Sequence, residues 1–84
     1  MMTESRNGMY AHEVVAVKGS SRSTVLAELE RRMIQVPIGG IVQVVSTDPG
    51  MSYELWLWTR KLGHVFLGTQ EEPGCSRILV KRSR

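Results

Sequence analysis

The sequence predicts an α/β (α+β) two-layer sandwich in the order β-α-β-α-β-β, a four-stranded mixed sheet with two helices on one face. Three observations predict it. Four short runs are β-branched, apolar or alternating, and two longer segments between them carry apolar residues at helical spacing. Proline, glycine and serine punctuate the junctions. The chain has 84 residues, 42% hydrophobic and 23% charged, which suits one domain with a modest core and excludes a disordered chain. With so few elements, one sheet covered by both helices is the economical arrangement.

The elements follow in order. Residues 1–10 read as a flexible arm, and 11–84 as the single domain. His12 to Val17 is a short, largely buried strand, and Lys18-Gly19-Ser20-Ser21 is a turn. From Arg22 to about Gln35 the pattern turns helical. Val25 or Leu26, then Leu29 and Met33, share one face, while Glu28, Glu30, Arg31 and Arg32 fill the rest. The serines before this helix can accept hydrogen bonds from its first N–H groups. Pro37 and Gly39-Gly40 end the segment. Ile41 to Val45 is a β-branched strand. Asp48 is expected as the N-cap of the second helix, with Pro49 at its first position. That helix runs to about Leu62, its core stripe formed by Met51, Leu55, Trp58 and Leu62, and Gly63 stops it. His64 to Gly68 is a third strand. Pro73-Gly74 suits the centre of a type II turn, and the alternation from Arg77 to Arg82 is a fourth strand.

Net charge is +3, from 11 Lys and Arg against 8 Asp and Glu. Arg77, Lys81, Arg82 and Arg84 crowd the last eight residues. So small an excess is weak evidence for nucleic acid. No apolar run approaches the ~20 residues of a membrane span, and the polar opening MMTESRNGMYAHE is not a signal peptide. Cys75 is the one cysteine. It can form neither an internal disulfide nor a multi-cysteine metal site, so a cytoplasmic location is expected. His12 and His64 come from different elements without ligand spacing, so no metal is assigned. No cofactor is assigned either. The chain lacks a nucleophile–base pair, a phosphate loop and a dinucleotide fingerprint, which argues against an independent hydrolase or oxidoreductase.

Several local words narrow the field. Gly19 precedes the first helix and Gly39 follows it. Asp48-Pro49-Gly50 opens the second helix, Arg60-Lys61-Leu62-Gly63-His64 closes it, and Ile78-Leu79-Val80-Lys81-Arg82 forms the last strand. In this pattern, ungapped from about Glu13 to Arg82, the chain resembles the TusA/SirA-like sulfur-carrier family. The resemblance implies a Cys-Pro-x-Pro motif at the start of helix one, whose cysteine accepts a persulfide and passes it on. Here that motif falls on Arg22-Ser23-Thr24-Val25, and the leucine before it is Ser20. A helix start lowers a thiol pKa through its free N–H groups and dipole. Arginine has no sulfur and stays protonated, so transfer through this position is impossible. The resemblance also places His64 at the opening of strand three, where a structural hydrogen bond is expected.

What remains is a binding or regulatory expectation. Gly19, Ser20, Ser21, Arg22, Ser23 and Thr24 together resemble an anion- or partner-binding cradle. Its ligand would be a sulfur-containing anion, or a group on a sulfur-relay protein. The competing reading is that the serines cap the helix and Arg22 faces solvent. Tyr53 and Trp56, with Leu57, are a candidate docking face if Trp58 is core; a broad apolar stripe is the alternative. Cys75 is a candidate replacement thiol, although no His or helix terminus is evident beside it. An RNA-associated module is the other alternative. The same layers resemble the C-terminal domain of a bacterial translation initiation factor, and the tail Lys81-Arg82-Ser83-Arg84 is basic, but no strand face is studded with aromatics.

Overall fold

Alternation of buried and open positions, the signature of a sheet with one covered face, runs through two strands of the computed structural model, which describes residues 13–17 and 21–84. In β2 (Ile41–Ser46) the side chains of Val42, Val44 and Ser46 are buried, and in β4 (Cys75–Lys81) those of Ser76, Ile78 and Val80. The other elements are β1 (Glu13–Val17), α1 (Arg22–Met33), α2 (Met51–Leu62) and β3 (Val65–Glu72). The expected arm and the residues Gly19, Ser20 and His12 lie outside the described residues.

The sheet order is β1-β2-β4-β3. β1 runs parallel to β2, while β4 is antiparallel to both β2 and β3. The sheet is therefore mixed, and both helices cover one of its faces. Buried side chains from the helices, three strands and, through Val36, the loop after α1 form one core: Val15, Val25, Leu29, Met33, Val36, Val42, Val44, Met51, Leu55, Ile78 and Val80. Leu26, Trp58 and Phe66 pack against it. No described helix is long and apolar enough to cross a membrane.

Several boundaries differ from expectation. α1 ends at Met33, and Ile34 caps it. The chain up to Gly40 is then a clamped loop. α2 begins at Met51 with Gly50 as its cap, so Asp48 works one turn earlier. Its Oδ1 accepts from Gly50 N–H at 2.9 Å, and its carbonyl accepts from Met51 N–H at 3.1 Å. The third buried position of α2 is Thr59 rather than Trp58, and Leu62 is only half-buried. Thr59 fits because its hydroxyl donates to the Trp56 carbonyl at 2.9 Å, which satisfies it inside the core. Gly63 stops α2 in the left-handed region at φ 81°.

β3 and β4 extend toward one another until Glu72 pairs with Cys75, leaving Pro73-Gly74 as a two-residue turn. Gly74 has φ 87°, the third-position geometry of a type II turn. An irregularity between Phe66 and Gly68 shifts the register of β3.

Candidate functional site

A parallel pair of strands dictates where the two helices start. α1 follows β1 and α2 follows β2, so both helix N-termini lie at the same end of the sheet. Ser21 caps α1, with φ −70° and ψ 159°. Its Oγ accepts from Thr24 N–H at 3.3 Å and lies 3.1 Å from Ser23 Oγ and 2.9 Å from Thr24 Oγ1. Ser21 thus caps one of the first free N–H groups of its own helix.

Arg22, the first residue of α1, reaches across to the start of α2. Its Nε donates to Asp48 Oδ2 at 2.8 Å and its Nη2 to Oδ1 at 3.3 Å. Its Nη1 lies 3.5 Å from Glu54 Oε1. This two-point grip is the geometry arginine favours with a carboxylate. Hydrogen bonding to Asp48, then its charge, raises the Arg22 pKa further above its usual value. Arg22, and next the Gly50 N–H, hold the Asp48 carboxyl below the usual carboxylate range. Gly50 matters here because a Cβ at this position would collide with Arg22 Nη2. Asp48 is itself positioned by Ser46, whose buried Oγ accepts from Asp48 N–H at 3.0 Å.

A cation at a helix N-terminus opposes the helix dipole, and the first turn of α1 contains no acid. Two carboxylates from the neighbouring helix start supply what α1 lacks. The guanidinium proposed to await an anion therefore already holds Asp48 and Glu54, although its side chain remains 48% exposed. Counting Arg22 against Asp48 and Glu54, the cluster is net negative. Asp48, Glu54 and Gly50 were missed as partners of Arg22. The opposite charges at the two helix starts stand in the sequence, but that the two starts adjoin follows from the parallel pairing of β1 with β2.

Tyr53 and Trp56 are exposed on α2 and stack with ring centroids 6.0 Å apart and planes 22° from parallel. Arg60 lies over the Trp56 ring at 5.0 Å. Spacings of three and four residues align these three side chains along one helix face. Leu57 is exposed as well. The ladder begins one residue from Glu54, so it shares the first turn of α2 with the Arg22 cluster.

Cys75 is free and half-buried. Its thiol donates to Glu72 Oε1 at 3.8 Å, and Glu72 also pairs with Arg77 at 2.8 Å. Ser76 is registered opposite Ser46, so β4 begins at the sheet end where the helices start. Strand alternation sends Ser76 under the helices and Cys75 to the other face. Topology brings the thiol to the right end of the molecule, and the sheet separates it from Arg22. At the opposite end, His64 Nδ1 accepts from Ser83 N–H at 3.2 Å and its ring lies 5.7 Å from Trp58. Burial, then Arg82 and Arg84, pushes its pKa below the ordinary value.

A candidate sulfur carrier protein from Archaeoglobus fulgidus is 32% identical to this chain over 69 residues, covering 82% of the chain and 94% of that protein. The chain belongs to the sulfur-carrier family. The candidate sulfur carrier YrkF of Bacillus subtilis is 30% identical over 74 residues, 88% of the chain and 40% of YrkF. One from Aquifex aeolicus is 31% identical over 45 residues, 54% of the chain and 23% of that protein. The match thus spans less than half the length of these two relatives. No family model matches the chain.

Proposed function

We propose that the protein is a sulfur-relay module that binds relay partners without carrying sulfur at the helix start. The carrying observation is Arg22 at the first position of α1, locked to Asp48 and Glu54. The family resemblance implies a sulfur-accepting thiol there, and a guanidinium paired with carboxylates can neither attack nor be attacked as one. The cluster is a charged, hydrogen-bonding surface beside exposed Tyr53 and Trp56, and such a combination suits protein docking. A free sulfur oxyanion is the weaker ligand, because it must displace Asp48 from Arg22 and approach a net negative cluster.

The test is competition. A cysteine desulfurase, cysteine and a thiol-bearing family member are mixed, and labelling of that member is followed by intact mass. Excess of this protein is expected to slow the labelling, and Arg22→Glu to relieve the inhibition. Unchanged labelling at large excess would remove the docking reading.

A second reading rests on the location of Cys75 at the helix-start end of the sheet. In it the Cys75 thiolate attacks the outer sulfur of the desulfurase persulfide; the old S–S bond breaks and the desulfurase leaves as a thiolate. The same mixture separates the two readings. A sulfur adduct on this chain that vanishes in Cys75→Ser supports the carrier, whereas no adduct beside a labelled control supports the binding module.

A further inference from the structure

The most exposed large hydrophobic side chains of the described residues sit together in one loop, at the end of the molecule opposite Arg22. Ile34 is 71% exposed and Ile38 68%. The loop that carries them is clamped. Arg82 Nη1 donates to the Val36 carbonyl at 2.6 Å, Gly39 N–H donates to the Arg82 carbonyl at 2.7 Å, and Arg82 N–H donates to the Gly40 carbonyl at 2.8 Å. A further bond from Gly40 N–H to the Pro37 carbonyl closes its tip. Two isoleucines are thus displayed on a fixed backbone, where burial in their own core would be the ordinary outcome.

Positive charge collects around them. Arg84 lies against Gly63 at the end of α2, and Ser83 is bonded to His64. The residues from Arg82 to Arg84 therefore tie this loop to the α2 C-terminus, which carries Lys61. Lys81 closes β4 at the same end. Among the described residues, the ion pairs use Arg22, Arg31, Arg32 and Arg77, and none uses Lys61, Lys81, Arg82 or Arg84. Glu13 and Glu28 are held by Arg31 and Arg32. Glu30 on α1 is the exposed acid of this region.

We propose that this end of the molecule docks on an anionic lipid bilayer. Aliphatic side chains would enter the headgroup boundary while lysine and arginine meet lipid phosphates and carboxylates. The observations favour a bilayer over other acidic partners. A protein hot spot wants an aromatic anchor, and the large exposed side chains of this loop are two aliphatic ones. A nucleic-acid backbone would reward the bases and leave the isoleucines in water. The proposal is independent of the docking reading at Arg22.

The experiment is co-sedimentation with vesicles of phosphatidylcholine containing about 30% phosphatidylserine, a composition chosen to give a negative surface potential. Binding is expected to these vesicles, to fall as salt rises to about 0.5 M, and to be weak on phosphatidylcholine alone. Ile34→Ser/Ile38→Ser and Lys61→Gln/Arg84→Gln should each weaken it by about tenfold or more. Both isoleucines are exposed, and an unchanged melting temperature verifies the fold of each variant. No binding at low salt would overturn the proposal. So would binding that the isoleucine pair leaves unaltered, or binding abolished by single-stranded RNA through contacts that ignore Ile34 and Ile38.

Discussion

Arg22 is tolerated at a helix start because carboxylates from a second helix start reach it. The pairing sets a pH dependence. Asp48 has a folded pKa below its ordinary value of 3.8. Its contribution is therefore fully present above that value and is lost as pH falls through the lower folded one. Asp48→Asn is expected to lower the melting temperature at neutral pH by no more than about 5 °C, because the pair is exposed. It should also remove part of the acid limb of the stability profile, read by thermal melts across acidic pH. His64 works on a different limb. Its folded pKa lies below 6.5, so the unfolded chain takes up a proton first as pH drops, and stability declines from 6.5 downward through the folded value. A histidine NMR titration should find the midpoint of His64 below 6.5, and His64→Gln should flatten that part of the melt profile. A midpoint at or above the ordinary value would contradict the burial argument. Arg22 was legible as the departure from the family motif. Its hold on Asp48 and Glu54 was not, because that pairing depends on strand order, which no local run of residues encodes.

The elements were legible where period and punctuation agreed. α1, β2 and the Pro73-Gly74 turn follow from helical spacing, β-branching and the positive φ that glycine permits. Replacing Gly74, with φ 87°, by alanine should cost about 1–2 kcal/mol in denaturant unfolding, the ordinary penalty of the left-handed region. The face of α2 was less legible. Hydrophobicity favours Trp58 for the core, yet the helix rotation gives the buried position to Thr59, whose hydroxyl finds a carbonyl within its own helix. Thr59→Val should therefore change stability by less than about 1 kcal/mol, since the lost bond is to a helix carbonyl. Leu55→Ala, at a fully buried position on the same face, should cost about 2–5 kcal/mol by chemical denaturation. Similar losses for the two variants would mean that α2 is rotated from the orientation described. The exact ends of β3 and β4 were hidden because Thr69 to Glu72 is polar, and only pairing with β4 makes it a strand.

At the scale of the molecule the two ends differ in kind. One gathers both helix starts, the Arg22 cluster and the Cys75 turn; the other gathers both helix ends, the projecting isoleucines and basic residues that join none of the ion pairs among the described residues. The sheet order that makes this division has a further consequence for how the chain is made. β4, the last strand in sequence, occupies the interior of the sheet between β2 and β3. A ribosome therefore delivers β1, both helices and β3 before the strand that joins them. Until Ile78 and Val80 emerge, β2 and β3 share no neighbour, and the apolar faces of α1 and α2 lack part of their floor. β1 and β2 can pair as soon as both have emerged, but β3 cannot join them until β4 does. The β2–β4–β3 part of the sheet therefore closes late, and until β4 arrives the apolar faces it will cover stay open to chaperones or to other nascent chains.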